Sequence, residues 1–237
     1  MSDFEYGGDE LTLFAASENW KAYWSGEIAP FVGDRVLDVG AGIGTTARTL
    51  NFKGYERWVG LEPDRKLCES ILQARAAGLI PSHVEVRHGT TADLSPSETF
   101  DTVLYIDVLE HIEDDAGELR RAAMHLSPGG HIIIVVPAHG YLYTAFDEKI
   151  GHFRRYDKKL LSSIVPDGLG VAKMRYLDSA GMIASLANRL LLNSDAPTAA
   201  QIGFWDRVLV STSRLVDPLL RYRVGKSVAC VLRKEAA

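Results

Sequence analysis

Three glycines at alternate positions, Gly40, Gly42 and Gly44, follow an apolar run from Val36 to Val39 that only Asp38 interrupts. Glycine tolerates φ > 0 and lets a ligand approach the backbone closely. The run reads as a buried strand, and Thr45 to Leu50 as a helix start whose first N–H groups favour an electron-rich ligand edge. Strand, glycine turn and helix make the nucleotide-binding opening of a doubly wound sheet. The spacing is G-x-G-x-G, not the G-x-G-x-x-G of dinucleotide enzymes. Glu62 ends a second apolar run 22 residues beyond Gly40. A carboxylate there can accept hydrogen bonds from both hydroxyls of a ribose. Pro63 and Asp64 follow, and Asp64 reads as the cap of a helix over 65–77.

A second group of reactive types lies downstream. Asp107, Glu110 and His111 follow the apolar run that ends at Ile106. His139, Tyr141, Tyr143, Asp147, His152, Arg154, Arg155 and Tyr156 then crowd the stretch after Pro137, in a mixture that no periodicity explains. Histidine is the usual proton acceptor near neutral pH, so His111, His139 and His152 are the candidate bases. A packing role beneath the ligand is the equal alternative for His111. One of Arg154 and Arg155 is expected to pin the loop to Asp147 or Glu148. No Asp/His cluster has metal-ligand spacing, so no metal is expected.

These groups need elements to hold them. Apolar runs near 35, 57, 83, 101 and 131 read as strands separated by helices, which predicts a parallel sheet. Ser127-Pro-Gly-Gly130 reads as a turn before the fifth strand. Residues 170–177 and 227–232 add two strands, and 179–193 and 201–221 read as amphipathic helices joined by a loop at 193–197. Residues 10–32 carry aromatic residues at helical steps, with Ser17 as a cap.

Composition sets bounds on the rest. The chain has 237 residues, enough for a sizeable core in one domain. Its formal net charge of −5 gives no basic surface for nucleic acid. The N-terminus is polar and no run of apolar residues is long enough to span a bilayer. Two distant cysteines, Cys68 and Cys230, fit a reduced, cytoplasmic protein.

Asp38-Val-Gly-Ala-Gly-Ile-Gly44, the acid at Glu62, and Phe100-Asp-Thr-Val-Leu-Tyr-Ile-Asp-Val-Leu-Glu-His-Ile112 together resemble the first, second and fourth motifs of class I S-adenosylmethionine-dependent methyltransferases. The resemblance implies an α/β fold: a doubly wound, mostly parallel seven-stranded Rossmann-like sheet with an antiparallel last strand, N-terminal helices and a helical cap inserted before that strand. It implies one domain, with a lid at 1–33, a cofactor core at 34–177, a cap at 178–224 and the last strand and tail at 225–237. The cofactor would be S-adenosyl-L-methionine, the product S-adenosyl-L-homocysteine. Asp38, Gly40, Ala41, Gly42, Gly44, Glu62 and Pro63 would hold its middle. Tyr105, Ile106 and Asp107 would meet its methionine end, and Trp20 and Tyr23 would cover it. Many relatives carry an acid directly after the glycine at position 89, near adenine; here Thr90 stands there, with Thr91 beside it. His111, Pro137, His139, Tyr141, Tyr143, Arg154 and Tyr156 would line the acceptor. Gly151-His-Phe-Arg-Arg-Tyr156 resembles a bacterial subgroup sometimes encoded near envelope glycosyltransferases.

Methyl transfer to an oxygen or nitrogen of a small aromatic or heterocyclic metabolite leads. A polyprenyl-linked glycan or lipid precursor, its phosphate held by arginines, is the alternative. Nucleic acid or protein ranks last. A monomer or homodimer with no membrane span is expected. A non-catalytic cofactor binder, or a dinucleotide-reducing protein, is disfavoured by the glycine spacing.

Overall fold

The computed structural model describes residues 10–191 and 198–235; the loop expected at 193–197 lies outside the described residues. The strands are β1 (Arg35–Val39), β2 (Arg57–Glu62), β3 (Val84–His88), β4 (Phe100–Ile106), β5 (Leu126–Pro137), β6 (Leu169–Leu177) and β7 (Ser227–Lys234). They form one sheet in the order β3-β2-β1-β4-β5-β7-β6. The pairs among β1 to β5 are parallel, while β7 lies antiparallel between β5 and β6. The expected mostly parallel, seven-stranded α/β sheet is therefore what the chain forms.

Successive side chains of a strand point to opposite faces. The central strands are apolar on both, so the sheet carries a core on each side. Val36, Leu104, Ile133 and Val231 pack one layer, with Trp24, Ile28 and Val210 from helices. Leu37, Val103, Ile132 and Leu232 pack the other, with Leu119 and Leu161. The helices are α1 (Glu10–Ala15), α2 (Glu18–Ile28), α3 (Thr45–Thr49), α4 (Arg65–Ala76), α5 (Asp115–Met124), α6 (Ala145–Lys149), α7 (Lys158–Ser163), α8 (Ser179–Leu191), α9 (Ala199–Phe204) and α10 (Ser211–Leu219). A π-helical stretch, Trp205–Val210, joins α9 to α10. The helical insertion before the last strand is present as expected.

Local chemistry starts the helices. Asp64 accepts from the N–H groups of Lys66 and Leu67, as the sequence suggested. Asp114 does the same for Gly117, and Asp157 for Leu160. Ser17 departs from expectation: its hydroxyl is buried and makes no capping bond. The N–H groups of Asn19 and Trp20 instead donate to Asp206, 3.2 and 2.8 Å away, in the π-helical stretch. A carboxylate near a helix N-terminus also meets the positive end of the helix dipole. The expected turn at Ser127–Gly130 is a second departure. Those residues run inside β5, where the register against β4 shifts between Phe100 and Thr102. Two steps on β4, from Phe100 to Thr102, face five on β5, from Leu126 to His131, and Gly129, at φ 76°, takes up part of that irregularity.

Two buried acids join the N-terminal helices to the insertion. Asp217 accepts from the Tyr23 hydroxyl at 2.7 Å and from the N–H groups of Asp178 and Ser179. Asp178 accepts from the Trp205 indole, the Ser213 hydroxyl and the Gly181 N–H.

Candidate active site

A cleft of about 290 Å³ opens where β1, β4 and β5 end, with α1, α2 and the insertion over it. That is the usual place for a ligand in a sheet of this kind. Its size lies at the lower end of small-molecule sites.

The first wall is backbone. Gly40, Ala41, Gly42 and Ile43 line it, with Thr45 and Thr46 behind. Gly40, Gly42 and Gly44 have φ of 64°, 58° and 77°. Gly40 has no room for a side chain, because a Cβ would come within 2.7 Å of Val108. Gly42 differs: its nearest neighbour there would be Leu11, 3.7 Å away, so its open side faces the cleft. The turn is anchored from beneath. Gly40 and Ala41 donate to the Leu61 carbonyl, and Gly42 donates to Glu62 Oε2 at 2.8 Å. Glu62 Oε1 accepts from the Asp64 N–H across Pro63. Glu62 is buried, which pushes its carboxyl up, the Asp64 and Gly42 N–H groups working against that rise. The sequence predicts Glu62 facing a ribose; the observed contact is to the turn itself. Asp38 lies deeper. Burial raises its pKa to about 8, the Trp58 indole pulling down and Glu62 adding to the rise. Its Oδ2 has no hydrogen-bond partner.

The second wall is side chain. Ile106, Asp107, Glu110 and His111 line it from the end of β4, and Asp147, His152 and Arg155 from the loop after β5. That loop closes at its neck, where Ala138 bridges Tyr156, so its members are held as one body. Asp147 organises it. Fully buried, it accepts from the Thr144 N–H and hydroxyl, from His152 Nδ1 at 2.9 Å, and from Arg155 Nε and Nη2 at 2.7 and 2.9 Å. Burial alone would raise its pKa; the bonds from His152 and Arg155 overcome that and hold the carboxyl well below the usual range. Burial moves Glu110 the other way, with Asp107 adding to the rise. Glu110 is 1% exposed and its Oε2 is without a partner. His111 falls to about 4 through burial and the neighbouring His152 ring. Asp107 has an exposed surface yet sits on the cleft floor with protein on most sides. That enclosure raises its pKa to about 6 against the pull of His152 and Lys226, and cleft water keeps the shift from being a stability cost. Its backbone takes φ 54°, a strain that fits a site rather than a strand end.

Several expected site residues lie elsewhere. Tyr156 is fully buried and donates to Asp115 and the Leu109 carbonyl, so it is framework. Tyr105 and Thr91 both donate to Glu118 beneath the opposite face of the sheet. Thr90 is tied to Asp93 in a reciprocal cap. Tyr23 spends its hydroxyl on Asp217, whereas Trp20 does line the cleft. His139 stacks on Tyr141 at 4.9 Å and leans on Tyr176 at 4.7 Å, away from the cleft lining. Tyr141 is half exposed, and Tyr143 donates to the His152 carbonyl. Pro137 lines the cleft. Arg155 is the loop pin. Arg154 pairs with Asp115 at 2.6 Å and donates to the Glu113 carbonyl. Neither arginine is left to hold a phosphate. Sequence reasoning missed Trp24 and Lys226, which also line the cleft beside Trp205; Lys226 lies over the Trp205 ring at 3.9 Å. They are scattered along the chain without motif spacing.

A family model described as a methyltransferase domain matches residues 16–180. The ubiquinone biosynthesis O-methyltransferase of Paramagnetospirillum magneticum is 36% identical over 102 residues, covering 43% of this chain and 39% of that protein. The matched chain thus spans less than half the length of that relative. Among solved structures, coclaurine N-methyltransferase bound to N-methylheliamine and S-adenosylhomocysteine aligns with a TM-score of 0.63 at 17% identity, covering 99% of this chain and 77% of that one. The [4+2]-cyclase SpnF aligns equally well, with a TM-score of 0.63 at 17% identity and 93% and 81% coverage. Likeness at that level concerns the fold alone, since the two printed activities differ.

Proposed function

Since the chain belongs to the methyltransferase domain family and takes S-adenosyl-L-methionine as its cofactor, we propose that it transfers the methyl group to an oxygen of a small metabolite. The observation that carries this reading is one cleft with a glycine turn on one wall and a Glu110–His111–His152 cluster, its carboxylate buried, on the other. The residues fit the cofactor. Gly42 leaves its side of the turn open, and Asp107 presents a carboxylate for an ammonium group. The oxygen acceptor is favoured by the relative's printed name, by the proton-handling cluster and by the absence of a free arginine among the described cleft residues.

When bound, the cofactor supplies an electrophilic methyl on a sulfonium. The chain's part is to bind, align and manage a proton. Gly40, Ala41 and Gly42 cradle the ligand, while Gly44, expected in the site, packs instead against Ile80 behind the turn, and Asp38, Glu62 and Pro63 hold that turn in shape. Ile106 and Asp107 fix the methionine end. Trp20, Trp24 and Trp205 keep water out above it. Alignment at near-attack distance can account for much of the rate. The acceptor hydroxyl must also lose its proton, and the Glu110–His111–His152 cluster is the place for that. In this reading residues 1–33 act as lid and 178–224 as cap, and the subgroup marked by Gly151–Tyr156 is the narrower home. We set the reaction in the cytoplasm, where buried Cys68 and Cys230 stay thiols. No helix among the described residues is long and apolar enough to cross a membrane.

The test has two steps. Calorimetry should show binding of S-adenosylhomocysteine and none of NAD. Labelled cofactor offered with matched phenols and amines should then label the phenols. Binding of NAD alone removes the cofactor assignment, and labelling of amines alone removes the oxygen acceptor.

A further inference from the structure

We propose that Glu110, His111 and His152 form a binding site for a divalent first-row transition cation, of the zinc, iron or manganese kind, in the wall of the cleft. Sequence spacing hides it, because His152 stands 41 residues after His111. The fold joins them: β4 and β5 are parallel neighbours, so the loops that follow them leave from the same edge of the sheet. One ligand atom from each residue lies within 4.8 Å of the other two. Glu110 Oε1 and His152 Nε2 are 3.8 Å apart, and the His111 and His152 rings meet edge to face at 4.6 Å. An ion about 2.0–2.2 Å from each donor would set them roughly 3–3.5 Å apart, a contraction that side-chain rotation can supply.

Two further observations point to a cation rather than a chance meeting of polar groups. The first is the way the rings are held. A metal-binding imidazole usually spends its other nitrogen on a carboxylate or backbone carbonyl, which fixes its tautomer and direction. His152 spends Nδ1 on Asp147 at 2.9 Å, which leaves Nε2 toward Glu110. His111 makes its backbone hydrogen bond to Gly151, on the side of its ring where Nδ1 lies. The second is Glu110. It is 1% exposed, its Oε2 has no partner, and it lines the cleft. A buried carboxylate oxygen without a partner is expensive, and a cation is the partner that suits it.

The donor set selects the class of ion. Two imidazoles and a carboxylate suit zinc or iron(II), with manganese tolerated, better than calcium or magnesium, which prefer all-oxygen cages. Catalytic zinc sites of the two-histidine, one-glutamate kind keep a position open for water or substrate. The purpose of the site rests on the oxygen-acceptor reading: an ion here would lower the pKa of a hydroxyl bound to it, so neither histidine would need to take the proton.

The experiment uses the untagged full-length chain, stripped with a chelator. Zn²⁺ is titrated by calorimetry, and Co²⁺ by the visible absorption that reports its coordination. We expect saturable binding of one ion per chain. Glu110→Gln and His111→Ala should each weaken it by about ten-fold or more. His139→Ala, outside the cluster, should bind like the parent. If Glu110→Gln does not fold, His111→Ala carries the test alone. Failure to bind either ion, or parent-like binding by the folded cluster variants, overturns the site. S-adenosylhomocysteine binding on the same stripped samples separates the two readings. Cofactor binding without ion binding sinks the cation site and spares the methyltransferase. Ion binding without cofactor binding does the reverse.

Discussion

The two walls of the cleft face each other but are made by different means. The glycine wall is backbone, bent by residues that tolerate positive φ and tied down by Leu61 and Glu62. Nearly all of it comes from one short stretch of chain. The opposite wall is side chain, drawn from the end of β4 and the loop after β5, and fixed by one carboxylate with five donated hydrogen bonds. The difference teaches where each wall is vulnerable. A backbone wall fails through shape. A side-chain wall fails through the loss of a single organising charge.

The largest effect should follow from removing that charge. Asp147→Ala strands Arg155 and frees His152, and breaking a buried ion pair from one side costs about 3–5 kcal/mol. Urea denaturation should read that loss, with turnover nearly abolished. At low temperature the surviving fold should bind S-adenosylhomocysteine within about three-fold of the parent, since the glycine wall is untouched. An equal loss of cofactor affinity would mean the walls are not independent.

Gly42→Val attacks the other wall. A β-branched residue is strained at φ 58°, and its side chain would enter the cleft. S-adenosylhomocysteine affinity should fall about 100-fold, while global stability falls by about 1–2 kcal/mol. Unchanged calorimetry would make the turn merely structural.

Asp38→Asn tests the support beneath that wall. The folded carboxyl has its pKa raised to about 8, far above the unfolded value. Below about pH 4 both states are protonated and the group is neutral to stability. Between there and about pH 8 the unfolded chain ionises while the folded one does not, so stability falls as pH rises, then levels off. The asparagine variant should lack that part of the decline. Thermal unfolding at pH 5 and pH 8 should show the variant losing less, by on the order of 3–4 kcal/mol. Parallel curves would mean Asp38 is ionised in the fold.

Arg154→Ala should matter least. Its pair with Asp115 is partly solvated, so about 0.5–1 kcal/mol of stability is at stake, with acceptor kinetics unchanged. A raised Michaelis constant would put Arg154 back in the cleft.

The sheet was readable because its signals are local. Apolar runs, the glycine spacing and Asp64 as a cap each act within a few residues. The glycine wall was readable for the same reason. The side-chain wall was legible only as a crowd. Nothing in Gly-His-Phe-Arg-Arg-Tyr tells which arginine turns toward Asp147; the bridge between Ala138 and Tyr156 decides it. Tyr105 illustrates the parity of strands. It sits beside Ile106, yet alternate side chains face opposite ways, so Ile106 reaches the cleft and Tyr105 reaches Glu118. Ser17 failed as a cap because Asp206, 189 residues on, supplies the acceptor instead.

The place of β7 has a consequence for how the molecule is made. It is the last strand of the sheet in the chain, but it lies between β5 and β6, and neither of those pairs with the other. As the polypeptide leaves the ribosome, β5 emerges long before its outer neighbour. Until residues 227–234 follow, the row from Ile132 to Val136 presents bare N–H and C=O groups on an apolar strand, a template for pairing with another nascent copy. Synthesis therefore exposes its greatest risk of misassembly late, in the interval between β6 and the strand that seals it, and the amphipathic helices α8 to α10 are what the chain produces in that interval.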